Sequence, residues 1–394
     1  MTIVNNPTLV ENDSAEPMYP RGSGAKAIVV IGDAGVVADD PNVVYEFVDY
    51  AGALSELGPE ASANPLLAAI KDVFIEGSIF NVSLDKLGIE KVYAINIRTS
   101  ATPAVLTQKM WTDAMTLSET KADMQMVELY AGCYTVAVMK LVRDHILALR
   151  LTGLKRASIF TIDPTKDLVD DKTDIFKMTD SSETTFINDG TVSIHTNPKM
   201  QAAYAAKCAC TEHFMDPAYK SYRSKTMEDI IEIGRQLADD YTGAGFVVDG
   251  PSINPDFVGK PEPMMAVTTS YRIGPGGTRP TDAFLHHRFN VDYQSVETNK
   301  IALGMIKKNN TITSRAMVEQ SCIGFLQNEV SLGNLQAKTS TEDGKPADDG
   351  FFLEIKTDPL DPFKLIKNMK VRPVGSVHMI VDNEIIQAPA AGGA

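Results

Sequence analysis

The chain has 394 residues, of which 44% are hydrophobic and 22% charged, and its formal net charge is −14 at pH 7. That length allows two or three domains and a substantial core, and the composition is ordinary for a folded protein. It excludes three classes: no apolar run approaches the roughly 20 residues of a membrane span, no Lys/Arg cluster with interleaved aromatics serves a phosphate-backbone binder, and four cysteines make no disulfide scaffold.

Residues 1–24 contain little that could form a core. Val4, Leu9, Val10, Met18 and Tyr19 are scattered among Asn, Glu, Pro and Gly, and Pro7, Pro17 and Pro20 oppose a helix. This segment reads either as a disordered terminus or as an extended arm that docks elsewhere. Its start has no basic n-region and no apolar h-region, so it is not expected to be a signal peptide, and the protein is expected to be made in a cytoplasm.

From residue 25 to about 180 the pattern is α/β. A strand at Ala27–Ile31 breaks at Gly32-Asp33-Ala34-Gly35, and a polar turn follows at Asp39-Asp40-Pro41-Asn42. A helix is expected from Asn64 to Phe74 and a strand from Lys91 to Ile97. Pro103 suits the first turn of a further helix carrying Leu106, Met110, Trp111 and Met115. Met124–Tyr130 alternates as a strand. Val136, Met139, Val142, Ile146 and Leu149 keep a 3.6-residue period, so a long helix is expected there, ended by Gly153. Ala157–Asp163 is the next strand. This alternation favours a layered sheet with helices packed on it.

Beyond an Asp-rich loop at 163–182, Thr185–Ile187 and Thr191–His195 bracket Asn188-Asp189-Gly190, which predicts a hairpin. Helices are expected near 198–210 and from Thr226 to about Leu237, the second opened by a capping pair with Asp229. Phe246–Val248 and Met264–Tyr271 look like strands around a Pro-rich loop. The character changes after Gly274-Pro275-Gly276-Gly277. Phe289–Tyr293 is predicted as a strand and Ser314–Val330 as a helix with Val318, Cys322, Phe325 and Leu326 inward. Leu335–Thr339 and Phe351–Lys356 are strands around the charged tip Glu342-Asp343-Gly344-Lys345. Met369–Val374 and Val377–Val381 close the chain, with Val377, Met379 and Val381 on one face. Ala388–Ala394 is a small-residue tail. The fold class is therefore α/β (α+β): a layered sheet-and-helix body, a smaller α+β C-terminal domain, and extended arms at both ends.

No motif commits the chain to catalysis. Gly32-Asp33-Ala34-Gly35 lacks G-x-G-x-x-G and no helix follows it directly, so a plain turn is favoured over a dinucleotide loop. Gly274–Thr278 lacks the Lys-Ser/Thr of a phosphate loop. Cys208, Cys210 and His213 offer three soft ligands without the second pair that structural zinc needs. His286-His287 stands apart from any H-E-x-x-H pattern. Asp167, Asp170, Asp171 and Asp174 do not follow the EF-hand order, and no G-x-S-x-G occurs. No catalytic, cofactor-binding or metal-binding residue is assigned, and the expectation is a protein that is not an enzyme. The alternative is an α/β nucleotide- or dinucleotide-binding enzyme using Gly32–Gly35.

The order of elements at these spacings resembles the contractile tail sheath proteins of tailed viruses and phage-tail-like particles. In that family a strand ending in a small-residue turn leads to an "F…LG" segment, a helix ending in "F-x-x-G", and a strand with the pattern "vyv-x-r-v". Here these are Ile28–Gly35, Phe47 to Gly58, Val73–Gly77 and Val92–Arg98. Met124–Tyr130, the helix with Arg143-Asp144-His145, and Lys155–Phe160 continue the order. Lys370–Val374 to Glu384–Ile386 matches the closing "v-x-v-x-P-v…e-x-I". Met18–Gly22 replaces the usual "P-G-V-Y" start and marks a divergent member.

The resemblance implies an N-terminal linking arm at 1–24, a body at 25–270, a C-terminal domain at 271–372 and a second arm at 373–394. It implies a subunit that polymerises as stacked hexameric rings around a tail tube and contracts to drive the tube through a host envelope. The implied intersubunit contacts are Val4, Leu9, Val10, Met18 and Tyr19 of one arm and Val377, Met379, Val381 and Ile385 of the other, pairing by β-augmentation. The implied partners are further copies of the chain, the tail tube protein, and the baseplate and tail terminator proteins. Direct nucleic-acid binding and membrane insertion are not expected. The implied place is the virion tail, assembled in the host cytoplasm.

Overall fold

The computed structural model describes residues 27–373 except 36–42, 59–63, 78–88, 90, 99–106, 122–124, 181–182, 184–186, 188, 212, 214–215, 219, 253–256, 272–282, 304–310, 339–346, 358 and 361–364. Its centre is a seven-stranded sheet in the order β2-β3-β1-β4-β5-β6-β7. The strands are β1 (Ala27–Gly32), β2 (Tyr45–Phe47), β3 (Val92–Asn96), β4 (Gln125–Tyr130), β5 (Lys155–Thr161), β6 (Val192–His195) and β7 (Phe246–Val247). β2 runs antiparallel to β3, and the other pairings are parallel.

The strand sequences explain this arrangement. Ile28, Val29, Val30 and Ile31 are all fully buried. A strand apolar on both faces suits the middle of a parallel sheet covered by helices on either side. Ile28 and Val30 face one core, Val29 and Ile31 the other. The first core is covered by α1 (Tyr50–Leu57), α2 (Pro65–Gly77) and α6 (Gln201–Cys210). The second is covered by α3 (Gln108–Ser118), α4 (Val136–Leu151), α5 (Lys172–Lys177) and α7 (Arg235–Gly243). Two starts are capped by side chains: Asn64 accepts from the Leu67 N–H at 2.9 Å, and Asp49 accepts from Gly52 at 2.8 Å. Gly153, at φ 95°, follows α4.

A second unit follows. Helix α8 (Leu285–Leu303) packs Leu285 and Phe289 into the first body core, while Ile301 near its other end lies against a third, smaller core. Helix α9 (Ile312–Ser331) and the antiparallel pair β10 (Phe351–Thr357) and β11 (Leu365–Val371) complete that third core around Cys322, Leu326, Leu335, Leu353 and Ile355. A short antiparallel pair, β8 (Asp249–Pro251) and β9 (Pro261–Pro263), lies between the units in sequence.

Most expected body elements are present, and several expectations are corrected. Phe289–Tyr293 is helix, not strand, because Phe289 and Tyr293 are one turn apart on the buried side of α8. Thr191–His195 supplies β6, which has parallel partners on both sides; Thr185, Phe186 and Asn188 of the expected hairpin lie outside the described residues. Asp189 accepts from the backbone N–H of Thr191 at 2.7 Å. The helix expected from Thr226 is a single 3₁₀ turn, Met227–Asp229, whose capping pair does form. The α-helix starts only at Arg235. Met264–Tyr271 is a bridge at Val267 and a 3₁₀ turn at Thr269–Tyr271, not a strand. Strand β11 begins at Leu365, ahead of the expected Met369. Around 335–339 there are isolated bridges at Leu335 and Lys338. The turn at Asp39 to Asn42, Pro103, Leu106, Gly274 to Gly277, the tip at Glu342 to Lys345 and the tail from Ala388 lie outside the described residues.

Gly350 enters β10 at φ 80°, and a Cβ there would lie 2.6 Å from the Gln336 carbonyl oxygen. Both the left-handed backbone and the contact oppose a side chain. Gly350→Ala is expected to destabilise the C-terminal unit by about 1–3 kcal/mol, read as a lower urea midpoint by a probe in 311–373. An unchanged midpoint would show that the turn relaxes freely.

Candidate functional site

Doubly wound sheets bind ligands in the crevice beyond the strand C-termini where strand order reverses. Here that place lies between the loops after β1 and β4, at Gly32–Gly35 and Ala131–Tyr134. Among the described residues its lining is bonded within the chain. The Ala131 N–H donates to the Ile31 carbonyl at 2.8 Å, and the Leu66 N–H to the Asp33 carbonyl at 3.1 Å. A Cβ on Gly32 would lie 3.2 Å from the Ala131 Cβ and 3.4 Å from that of Leu66. Gln201 closes the floor by donating to the carbonyls of Tyr130 and Ile159 at 3.0 and 3.1 Å.

The carboxylate of Asp33 also turns inward on the protein. It accepts from Arg98 Nε at 2.7 Å and Nη2 at 2.5 Å, and from the Gly35 N–H at 2.8 Å. Burial pushes its pKa up, but the hydrogen bonds from Arg98 and Gly35 and the Arg98 charge outweigh this and hold it below the ordinary value. Asn96 accepts from the Ala34 N–H at 3.2 Å. The glycine turn thus spends its polar groups on β3 and the segment after it. A phosphate would have to displace an ion pair and a helix start.

The other residues weighed for chemistry are dispersed. Cys208 is buried in the first core and Cys210 is only partly buried. His213 stacks on Tyr293 and lies 3.7 Å from Glu329. His286 faces Asp216 at 3.3 Å. Asp167 accepts from the backbone N–H groups of Val169 and Asp170, and Asp174 pairs with Lys177. Among the described residues no group of three or more His, Cys, Asp or Glu is placed to hold a metal. Among them, too, no helix is long and apolar enough to cross a membrane.

The surface best suited to a partner is the C-terminal sheet. Among the described residues β10 and β11 form a sheet with each other only, the kind of two-stranded unit to which a further strand can add. Their inward face is mostly apolar, with Phe351, Leu353 and Ile355 opposite Val371, Met369 and Lys367. Lys367 is the exception. Its Nζ donates to Ser295 O at 3.2 Å, Thr298 Oγ1 at 2.7 Å and Asn299 Oδ1 at 2.5 Å, all on α8. Burial pulls its pKa down to about 8. Beneath the unit, Glu329 accepts from Gln294 at 2.8 Å and Asn334 at 3.0 Å, and Asn290 donates to the Asn334 carbonyl. Burial raises the Glu329 pKa, but the neighbouring His213 and the hydrogen bonds from Gln294 and Asn334 bring it below the ordinary 4.5.

Sequence reasoning missed both residues. Each left a trace: Lys367 interrupts an apolar alternation at Leu365, Met369 and Val371, and Glu329 lies on the same helical face as Cys322 and Leu326. Val4, Leu9, Val10, Met18, Tyr19, Val377, Met379, Val381 and Ile385 lie outside the described residues. The described chain ends at Pro373, which bridges Leu335.

A doubly wound body, its switch point lined by internally bonded residues, joined by a shared helix to a small two-stranded unit, defines a structural class with known members. The fold is that of contractile sheath proteins. Compared by structure, the chain is similar to a protein of the sheath complex of an extracellular contractile injection system, PVC, in the contracted state, with a TM-score of 0.64, 12% identity and 93% of each chain covered. It is similar to a chain of the anti-feeding prophage (AFP) baseplate, with a TM-score of 0.63, 10% identity, and 94% of this chain and 96% of that one covered. It is also similar to the sheath tail protein Lin1278 from Listeria innocua, with a TM-score of 0.61, 8% identity and coverage of 93% and 96%. Compared by sequence, it matches no protein-family model and no curated protein.

Two outcomes follow from this geometry. Nucleotides and dinucleotides are expected to leave the melting temperature unchanged in a thermal-shift screen, and a reproducible rise with any of them would reopen the enzyme reading. Glu329, with its folded pKa below the unfolded value of 4.5, contributes stability that is present above pH 4.5 and lost as pH falls through the folded pKa. Glu329→Gln is expected to cost about 1–3 kcal/mol at neutral pH and to flatten this acid limb, followed by hydrogen exchange in α9. Parallel acid limbs in both proteins would assign the effect elsewhere.

Proposed function

We propose that this chain is the structural subunit of a contractile tail sheath. It polymerises as stacked hexameric rings around a tail tube and contracts to drive that tube through a host envelope. The observation that carries the reading is the sheath fold over 93% of this chain and at least 93% of each similar chain. The internally bonded switch-point crevice supports a role without a bound cofactor.

On this reading the body is 25–270 and the C-terminal domain 271–372, with α8 built into both cores. The arms at 1–24 and 373–394 add strands to the edges of the β10–β11 sheet in neighbouring copies. Val4, Leu9, Val10, Met18 and Tyr19, and Val377, Met379, Val381 and Ile385, are the contacts. Main-chain hydrogen bonds to a sheet edge give affinity without a deep pocket, and flanks outside the pairing let bodies rotate while they remain joined. The partners are further copies, the tail tube protein, and the baseplate and terminator proteins of the same particle, assembled in the host cytoplasm.

Electron microscopy of the purified chain tests this directly. Tubes or rings are expected for the full chain. Deleting 1–22 or 373–394 is expected to yield folded subunits that do not polymerise, judged by circular dichroism and sedimentation. Globular monomers under all conditions from the full chain, or polymers from both deletions, would sink the proposal.

A further inference from the structure

The inward face of β11 reads Leu365, Lys367, Met369 and Val371, set against Thr357, Ile355, Leu353 and Phe351 of β10. A slip of one residue would turn every side chain to the other face, so the apolar alternation forbids it. A slip of two keeps the same face inward. Leu365, Met369 and Val371 can exchange places with little chemical penalty, so apolar contact alone does not choose between registers two apart. Seven residues, 358–364, join β10 to β11, whereas two-residue turns are the ones that dictate register.

We propose that Lys367 sets the register of the β10–β11 hairpin against α8, at a cost to stability, and so determines where the chain leaves the hairpin at Pro373.

Only one placement of β11 along α8 puts the ammonium on its three acceptors, Ser295 O, Thr298 Oγ1 and Asn299 Oδ1, and with β10 held against α9 by its own core residues that placement selects the pairing. A slip of two moves the side chain by roughly 7 Å along the strand. That carries it away from all three and leaves a charge over apolar side chains, a placement proteins avoid unless the charge is paired. The other polar pairs discriminate less. Asn368 donates to Glu354 at 2.9 Å, and Arg372 pairs with Asp348, both of these about 42% exposed. Water can replace a partner lost in those pairs; Lys367, partly buried, would lose three acceptors at once. Burial pulls the Lys367 pKa down, and the Lys155 charge adds to this while Cys322 opposes it. An inward-pointing charge is one of the devices by which sheets with open edges restrict pairing. The proposal concerns the chain's own hairpin and does not depend on the sheath reading.

The test is Lys367→Met in the full chain. The folded lysine releases its proton at about 8 and the unfolded one at 10.5, so wild-type stability rises between those values. The variant is expected to melt higher at pH 7 and to lack that rise. Register is read by cysteine pairs, with mass mapping of the joined peptides. Glu354→Cys with Asn368→Cys reports the native partner, and Glu354→Cys with Ile366→Cys or Lys370→Cys reports slips of two. With Lys367 present, cross-linking is expected in the native pair only. With Lys367→Met, a shifted pair is expected to gain at least about tenfold. A variant that fails to fold, melts lower, or still cross-links only in the native pair overturns the proposal.

Discussion

Asp292 sits on α8 where the helix leaves the body, almost wholly buried, and receives two guanidinium groups. One is Arg150 from the end of α4; the other is Arg288, one turn earlier on α8 itself. The neighbouring Phe289 carbonyl accepts from Gln125 at the start of β4 at 3.2 Å. These contacts matter because α8 belongs to two cores. Its first turns pack with the sheet, and its last turns hold Thr298 and Ile301 against α9 and β11. A helix of 19 residues is about 28 Å long. Anchored at one end by a buried charge and at the other by the hairpin, it acts as a strut. The orientation of the C-terminal unit on the body follows from it.

The two units are stabilised differently. The body buries long apolar strands between two helical layers, with buried charged groups such as Glu128 and Arg156 set among them. Truncating a residue such as Ile28 or Ile159 to Ala would cost about 2–5 kcal/mol, as in other cores. The C-terminal unit has a small apolar core crossed by a ladder of polar groups: Asn290, Gln294 and Thr298 on one helix, Glu329, Asn334 and Lys367 around it. Buried polar groups contribute little net stability when satisfied and cost much when not.

The body was legible because parallel strands buried on both faces write themselves as apolar runs, and helices on them as a 3.6-residue period. β1, β3, β4 and β5, with α2, α4 and α9, could be read to within a few residues. Misreadings cluster where a short segment satisfies two periods at once. Phe289, Val291 and Tyr293 alternate like a strand, but Phe289 and Tyr293 are also one helical turn apart, and only the neighbouring core decides between the two. Thr191–His195 looked like half of a hairpin because Asp189-Gly190 is a good turn pair, and nothing local reveals that both edges of that strand are already taken. Lys367 went unremarked because the strand was read from Met369, which left the lysine outside the alternation it interrupts.

By itself the sequence determined the α/β layering, the approximate places of the body elements and the likeness in element order to contractile sheaths. These depend on which residues avoid water, and hydrophobic periodicity records that directly. Tertiary structure alone decided the strand order, the lining of the crevice by Leu66, Gln201 and the Asp33–Arg98 pair, and the sharing of α8 between two cores. Each of these is a contact between residues tens to hundreds of positions apart. Such contacts are selected by shape and charge in space, and the one-dimensional pattern carries no record of which buried surface meets which.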